Sequence, residues 1–338
     1  MSAPEPEAVW NAQLVPGPNK PEDLLQLRSG IVVVSGMSAD PGGDSGKAGS
    51  LYSMDPETER LSPLWPGTGK AVEHDKTRFP ECPGPPDSSA ASPHGLGSEI
   101  DSDGTELLYV VNHGGREAVE VFEVGGSAQD PGLTWVGCSV LPDGSFGNGV
   151  APDPLTDGFY VTHFLDPTDM PGEFARAFEG EPTGHVLRWT VEAGWKKVGG
   201  SDISTPNGIA VSPDGKSLYV ASWGSKEILE INAATGEQLR SASIDLMPDN
   251  LRFTGEGTLL ITGQVIDSLE TFNGYLSGQR KPDERYDIYE LNPAEFTIKR
   301  VAHGEQSGFG NPTTAIQVPG GMLVGSVAGT KILKLDRD

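Results

Sequence analysis

The chain alternates short apolar runs with glycine- and aspartate-rich turns along most of its length. The stretch TPNGIAVSPDGKSLYVASWG at 205–224 shows this pattern as a polar head, the run IAV, an SPDG turn and a second apolar run, LYVAS. Apolar runs of this length bounded by such turns predict β-strands joined as hairpins. The polar side chain of Asn207, at the head of its apolar run, has no obvious hydrogen-bonding role within a strand, so its position needs another explanation.

The same pattern occurs six times, beginning near residues 21, 92, 146, 205, 247 and 311, or about once in 56 residues. Further apolar strands follow, read as third strands of each unit: LYSMDP, VEVFEV, VLRWTV, ILEINA, DIYELN and ILKLDRD. Internal repeats of this length indicate a solenoid or a propeller. We predict an all-β, six-bladed β-propeller with four-stranded blades around a central tunnel. A β-sandwich with coincidental turns is the alternative.

The whole chain, residues 1–338, is expected to form this single domain. Residues 1–20 precede the first repeat and are expected either to join the closing blade or to remain irregular.

The first strand of each propeller blade lines the central axis, so the polar heads of the repeats should converge there. This convergence explains the polar residue at position 207. Carboxylate and amide oxygens without thiolates are the ligands that Ca²⁺ prefers, whereas Zn²⁺ favours His or Cys. The polar heads therefore predict a binding site for a hard cation on the axis. Alternatively, these side chains cap the strands and form hydrogen bonds with one another and with water. They are Glu22-Asp23, His94, Asn148, Asn207, Asp249-Asn250 and Asn311-Pro312-Thr313.

Two histidines are expected at the same end of the tunnel. His94 in SPHGLG heads its repeat, and His113 in YVVNHGG ends the next, antiparallel strand. Beside a metal that polarises a carbonyl, such a pair could take a proton from water. Alternatively, one histidine fixes a loop and the other is exposed. The other histidines have no metal-ligand spacing and are predicted to be loop or surface residues: His74, His163, His185 and His303.

The formal net charge of −24 disfavours nucleic acid and anionic membrane surfaces as partners. The two cysteines, Cys82 and Cys138, lie far apart without C-x-x-C spacing, which argues against a disulfide scaffold and a thiolate metal site but leaves one disulfide open. The sequence shows no signal-peptide pattern and no apolar window long enough to span a membrane, so a cytoplasmic location is predicted.

Several motifs together resemble the paraoxonase/arylesterase family of six-bladed, calcium-dependent lactonases, relatives of the gluconolactonase and senescence-marker-protein group. The motifs run from about residue 21 to the end of the chain: PEDLLQL, SPHGLG, LLYVVNHGG, the Asn148 segment, THFLDP, TPNGIAVSPDGKSLYVA and PDNLRF. The resemblance implies a carboxylic-ester hydrolase that acts on a small lactone or aryl ester.

The resemblance also implies roles for individual residues. His94 and His113 match the family's His–His dyad. Asp23 and the Leu96 carbonyl match ligands of a second, structural calcium. Gly149 departs from the family, which has a second acid at this position, and this puts the second calcium in doubt. The residues that match the ligands of the catalytic calcium are Glu22, Asn148, Asn207, Asp249 and Asn250.

Segments 164–184 and 264–286 are poorly patterned as strands and are expected to cover the tunnel mouth as lids. The first offers an apolar face of Phe164, Met170, Phe174 and Phe178 for substrate, with ordinary loop packing as the alternative. Two other functions stay open: a sugar-acid lactonase of the gluconolactonase type, and a non-catalytic propeller with a structural metal and a binding top face.

Overall fold

The protein is a six-bladed β-propeller in a computed structural model that describes residues 10–38, 48–66 and 71–337. Each innermost strand contacts the innermost strands of both neighbouring sheets, and these contacts close the ring. The strands are β1 (Trp10–Pro16), β2 (Pro21–Gln26), β3 (Val32–Gly36), β4 (Ser50–Met54), β5 (Leu61–Trp65), β6 (Ala71–Val72), β7 (Pro93–Ile100), β8 (Glu106–Asn112), β9 (Ala118–Ser127), β10 (Asp130–Val140), β11 (Gly147–Pro152), β12 (Phe159–His163), β13 (His185–Thr190), β14 (Gly194–Lys197), β15 (Pro206–Val211), β16 (Ser217–Ser222), β17 (Glu227–Asn232), β18 (Gln238–Ser243), β19 (Met247–Phe253), β20 (Leu259–Gln264), β21 (Arg285–Asn292), β22 (Thr297–Glu305), β23 (Pro312–Val318), β24 (Gly321–Ser326) and β25 (Lys331–Arg337).

The predicted propeller is confirmed. From the axis outwards, the sheets are β2-β3-β4-β5, β7-β8-β9-β10, β11-β12-β13-β14, β15-β16-β17-β18, β19-β20-β21-β22 and β23-β24-β25-β1. The six predicted third strands are β4, β9, β13, β17, β21 and β25, each third from the axis. The second sheet differs from the prediction, because short β6 pairs in parallel with β10 and adds a fifth strand.

The two ends of the chain share the last sheet. Strand β1 pairs antiparallel with β25, from Trp10 opposite Arg337 to Pro16 opposite Lys331. The N-terminal strand is thus the outer strand of the sheet that the C-terminal strands begin, an arrangement that closes the ring with backbone hydrogen bonds. Of the predicted N-terminal extension, residues 1–9 lie outside the described residues.

The apolar core lies in layers between neighbouring sheets. Between the first and last sheets, for example, Val32 and Val34 pack with Ile316, Leu323 and Ile332, and all five side chains are buried. Because a sheet inside the ring is covered on both faces, its central strands bury consecutive residues. This explains why runs such as VVV at 32–34 are continuously apolar rather than alternating.

A disulfide joins Cys82, in the segment between β6 and β7, to Cys138 on β10. The sequence left this possibility open while arguing against a disulfide scaffold. Disulfides form and persist mainly in oxidising compartments, and the cytoplasmic location stays a prediction. No helix among the described residues is long and apolar enough to cross a membrane.

Candidate functional site

A β-bulge interrupts the innermost strand of every sheet at its polar head. In each case two residues fall between paired neighbours of the ladder: Glu22-Asp23, His94-Gly95, Asn148-Gly149, Asn207-Gly208, Asp249-Asn250 and Thr313-Thr314. A bulge disrupts the ladder locally and re-aims a side chain. The sixth head differs from the prediction, because Thr313 and Thr314 form the bulge and Asn311 precedes β23.

Gly208 shows why a glycine follows the polar head at Asn207. A Cβ atom at position 208 would lie 2.6 Å from the Cα atom of Asn250 and 2.6 Å from the carbonyl oxygen of Asp249. The next innermost strand therefore leaves no room for a side chain. The Asn-Gly pair resembles a turn signal but lies within a strand. Asn207 is a candidate metal ligand, and Gly208 allows the close approach of the neighbouring strand.

Four of the five predicted calcium ligands have a buried side-chain oxygen without a hydrogen-bond partner. These atoms are Glu22 Oε2, Asn148 Oδ1, Asn207 Oδ1 and Asp249 Oδ1. The fifth residue is tied to the first, since Asn250 Nδ2 donates to Glu22 Oε1 at 2.8 Å. Buried polar atoms are rarely left without a partner, and several in one place call for an explanation. Oxygen atoms from two carboxylates and two amides fit a hard cation such as Ca²⁺.

The charge balance of these residues points the same way. Burial and the negative charge of Glu22 raise the pKa of Asp249 well above its ordinary range. In the described part of the chain, the one salt-bridge contact of these two carboxylates joins Glu22 Oε2 to His94 Nε2 at 3.4 Å, and it is an ion pair only when His94 is protonated. No group of three or more His, Cys, Asp or Glu residues forms a metal cluster within the described ranges, because amides make up the rest of this set. A bound cation would compensate the two buried carboxylates.

The two predicted histidines lie in contact, and a carboxylate extends the chain of contacts. His94 Nδ1 is 2.7 Å from His113 Nε2, and His113 Nδ1 is 3.0 Å from both carboxylate oxygens of Glu117. An ionised carboxylate only accepts, so His113 Nδ1 donates to Glu117. In neutral His113, Nε2 then accepts from His94 Nδ1. When His94 is also neutral, this arrangement leaves the lone pair on its Nε2, the nitrogen that lies 3.4 Å from Glu22 Oε2.

His94 is buried at the tunnel end beside this carboxylate. Burial is the largest single influence and lowers the pKa of His94, but the charge and hydrogen bond of Glu22 together with the charges of Asp23 and Glu117 outweigh it, so the pKa is raised. His113 is held from a second side by Phe146, whose ring stacks on it at 4.3 Å between centroids. The backbone N–H of Phe146 donates to His163 Nδ1 at 3.1 Å. The prediction that His163 is a loop or surface residue is therefore wrong, because it is buried at the end of β12.

The predicted lids are helical. Segment 164–184 contains a short 3₁₀ helix (Pro167–Asp169) and α1 (Met170–Phe178), and segment 264–286 contains α2 (Leu269–Leu276). Asp169 caps α1 with a hydrogen bond from Gly172 N at 3.2 Å. The four apolar residues predicted for a lid belong to one cluster with residues of α2 and of neighbouring loops: Phe164, Met170, Phe174, Phe178, Trp223, Phe272 and Tyr275.

The aromatic cluster is connected to the candidate metal ligands through one buried glutamine. Trp223 packs against Phe272 at 5.5 Å between ring centroids. Its Nε1 donates to Gln264 Oε1 at 2.7 Å, and Gln264 Nε2 donates to Asp249 Oδ2 at 2.7 Å. Gln264 Nε2 also donates to the Pro312 carbonyl at 2.7 Å. Gln264 thus leaves only the other carboxylate oxygen of Asp249 available towards the axis.

The predicted second calcium site contains an arginine side chain. Arg252 Nη2 forms an ion pair with Asp23 Oδ2 and donates to the Leu96 carbonyl at 2.9 Å. Burial raises the pKa of Asp23 to about 6, while the charge of Arg252 opposes the rise. The two oxygen atoms that the resemblance assigns to a second calcium are therefore hydrogen-bonded to a protein cation.

Sequence reasoning missed several residues of this site: Glu117, Phe146, Gln264, Arg252 and Trp223. Glu117 carries the clearest signal, since it lies four residues after His113 in HGGRE. The other four come from strands and loops that only the closed ring brings to the axis. Their positions follow from the packing of neighbouring blades, which no local pattern encodes.

Comparison with known proteins adds a family likeness. The chain is 26% identical to chicken serum paraoxonase/arylesterase 2 over 340 residues, which cover 96% of this chain and 88% of that protein. It is 30% identical to human serum paraoxonase/arylesterase 2 over 177 residues, covering 49% of this chain and 46% of the human protein. The chain is therefore a paraoxonase/arylesterase-like β-propeller, as the motifs indicated. No family model matches it.

Solved structures support the fold at low sequence identity. The luciferin-regenerating enzyme matches with a TM-score of 0.57 and 11% identity, over 97% of this chain and 95% of that one. Virginiamycin B lyase from Staphylococcus aureus matches with a TM-score of 0.53 and 12% identity, over 98% of this chain and 100% of that one. At such identities these structures show the propeller alone.

Proposed function

We propose that this protein is a metal-dependent hydrolase of lactones or aryl esters, with Ca²⁺ as the axial ion. The observation that carries the proposal is the set of four buried oxygens without a hydrogen-bond partner at the polar heads, one of which, Glu22 Oε2, lies 3.4 Å from Nε2 of His94 in the His94–His113 pair. The names of the paraoxonase/arylesterase relatives support the esterase and lactonase class. A bound divalent ion would supply Lewis-acid polarisation of the ester carbonyl and stabilise the negative charge that develops there.

The residues of the chain provide the base. His94 Nε2 carries the lone pair that can accept a proton from an attacking water, because its Nδ1 donates to His113. His113 donates a hydrogen bond from Nδ1 to Glu117. This carboxylate then stabilises the positive charge that forms on the histidines when His94 accepts the proton. His94 is thus a candidate general base, which His113 orients and whose positive charge Glu117 balances.

The aromatic cluster, which Trp223 and Gln264 connect to Asp249, would suit an uncharged substrate. Phe174 and Phe178 of α1 contact Phe272 of α2 at ring-centroid distances of 4.7 Å and 5.7 Å, so the two lids form one apolar surface. An apolar surface of this kind beside the site would suit an aryl or acyl group better than a polyol. This favours lipophilic lactones and aryl esters over sugar-acid lactones.

The proposal predicts that hydrolysis depends on a tightly bound cation. Protein purified without chelator should contain about one hard divalent ion per chain by elemental analysis, and chelation should abolish hydrolysis of a chromogenic aryl ester and of an aliphatic lactone. Restoring Ca²⁺ should restore both activities. Because the ligands come from four different blades, the ion should also raise the melting temperature.

Full activity after exhaustive chelation would refute the metal-dependent mechanism. A metal-dependent melting temperature without hydrolysis of either substrate would instead support the non-catalytic propeller with a structural ion. Hydrolysis of sugar-acid lactones alone would favour the gluconolactonase type.

Gln264 provides a second prediction as a positioning residue. Replacing it by methionine keeps its length but removes the donor to Asp249 and the acceptor for Trp223. We expect Ca²⁺ affinity to fall about 10–100-fold, with activity recovering at high Ca²⁺. Gln238→Met on the exposed face of β18 is the control and should change neither quantity. Unchanged Ca²⁺ affinity in Gln264→Met would show that Asp249 needs no such support.

A further inference from the structure

We propose that Arg252 takes the place of a second cation in the tunnel, so that the chain binds one axial ion and replaces the other with a guanidinium group. The proposal goes beyond the proposed function, because it concerns the support of the propeller ring rather than hydrolysis. It rests on the surroundings of Asp23, the residue next to the axial ligand Glu22 in the bulge of β2.

Arg252 on β19 reaches two other innermost strands. Its Nη2 pairs with Asp23 Oδ2 of β2 and donates to the carbonyl oxygen of Leu96 on β7 at 2.9 Å. Its Nε donates to the carbonyl oxygen of Leu24 at 3.2 Å. One side chain therefore connects the first, second and fifth sheets across the tunnel. A guanidinium group suits this task because it is always charged and presents several donors in one plane.

Asp23 is fully satisfied by the protein, in contrast to the axial ligands. Its Oδ1 accepts from Leu24 N at 2.8 Å, and its Oδ2 accepts from Leu96 N at 2.7 Å as well as from Arg252. The side chain is completely buried. Among the described residues, the buried atoms without a hydrogen-bond partner include Glu22 Oε2 and Asp249 Oδ1 but neither oxygen of Asp23.

The remaining ligand of a divalent site is missing. At Gly149 a Cβ atom would lie 2.9 Å from the carbonyl oxygen of Asn207 and 3.0 Å from the backbone nitrogen of Ile209. The packing of β11 against β15 therefore leaves no space for an acidic side chain at this position. A single buried carboxylate is balanced by one positive charge, which Arg252 supplies, whereas Ca²⁺ bound by Asp23 and one or two carbonyls would have to complete its shell with water and would bind weakly.

The variant Arg252→Met tests the proposal, with Arg188→Met as a matched control. Arg188 pairs with another buried aspartate, Asp153, at 2.7 Å, but its partner lies in the turn after β11 rather than at the bulges. In chelator, both variants should melt about 6–10 °C below the wild type, because each leaves an uncompensated buried carboxylate. With Ca²⁺ present, each variant is compared with the wild type at the same Ca²⁺ concentration, so that the gain from the axial ion cancels. Arg252→Met should then recover at least half of its loss, because Asp23 and the Leu96 carbonyl no longer bind the guanidinium group, and Arg188→Met should recover none.

Calcium titration of the demetallated full chain gives the second readout. The wild type should bind one ion, and Arg252→Met should gain a second, weaker one. Two ions bound to the wild type, or an Arg252→Met variant that melts like the wild type in chelator, would overturn the proposal. If the proposed axial site is wrong, Asn207→Ala will leave the wild-type binding unchanged, while the calcium-dependent recovery of Arg252→Met still supports the role of Arg252.

Discussion

Hydrolysis should fall about 10²–10⁴-fold in His113→Gln and in His94→Gln, while each variant keeps its bound metal. The contacts of the two rings explain this expectation. The base nitrogen is on His94, but its lone pair faces the tunnel only because His113 accepts from the opposite nitrogen. Loss of either ring therefore removes the base or its tautomer. Neither histidine is needed to complete an oxygen-rich shell, so elemental analysis should give the wild-type metal content.

The control for this prediction is His185→Gln. His185 begins β13 directly after the first lid segment, with its ring 4.7 Å from that of His163, and the described residues show no contact between it and His94 or His113. Its variant should retain activity within about threefold. The activity of Glu117→Gln should lie between that of the dyad variants and that of His185→Gln, with a loss of about 10–100-fold. A glutamine oxygen still accepts the hydrogen bond from His113 Nδ1 but carries no charge.

The pH profile separates a base from a structural role. With a histidine base, the wild-type rate rises with pH through an apparent pKa in the histidine range, and the pair titrates together. That rise should disappear in His94→Gln. Losses below about threefold in both histidine variants would show that the histidines are not the base. Release of the metal by His94→Gln would place His94 among the ligands instead.

The propeller could be predicted from the sequence because each blade has the same local pattern of apolar and polar residues. The SPDG and DG turns, the third strands and the polar heads recur at a nearly constant spacing, so errors at one repeat are corrected by the other five. The short strand β6 and the lid helices were missed because each occurs in one blade only. Helix α1 begins at a capping aspartate and a proline, local signals that a strand-based repeat hides.

The chemistry around the predicted residues was less visible than the residues themselves. A polar head can be recognised in the sequence, but the partner that fills its hydrogen bonds comes from a distant blade. Asp23 and Glu22 are adjacent in sequence, yet Asp23 pairs with Arg252, 229 positions away, while Glu22 Oε2 has no hydrogen-bond partner. Which of two neighbouring carboxylates is available for a cation is decided by the closed ring.

Asp249→Asn should separate two effects of this carboxylate: the stability that it costs the metal-free protein and the metal binding that it supports. The substitution preserves the shape of the side chain and its acceptance of the Gln264 amide, but removes one of two buried negative charges at the axis. In chelator, we expect the variant to melt a few degrees above the wild type, because Glu22 then lacks a like-charged neighbour. With Ca²⁺ present the order should reverse, since the wild type binds the ion more tightly and gains more stability from it.

Activity should follow the ion and not the melting temperature in chelator. A loss of at least about a hundredfold is expected in Asp249→Asn at moderate Ca²⁺, equivalent to about 2.7 kcal/mol of transition-state stabilisation. Asp283→Asn, at an exposed ion pair with Arg285 beyond the second lid helix, is the matched control and should change neither activity nor the response to Ca²⁺. A destabilised Asp249→Asn in chelator would mean that the carboxylate has a compensating partner in the protein, as Asp23 does. If activity also survived, the unpartnered oxygens at the axis would be a structural feature of the bulges rather than the binding site of a catalytic cation.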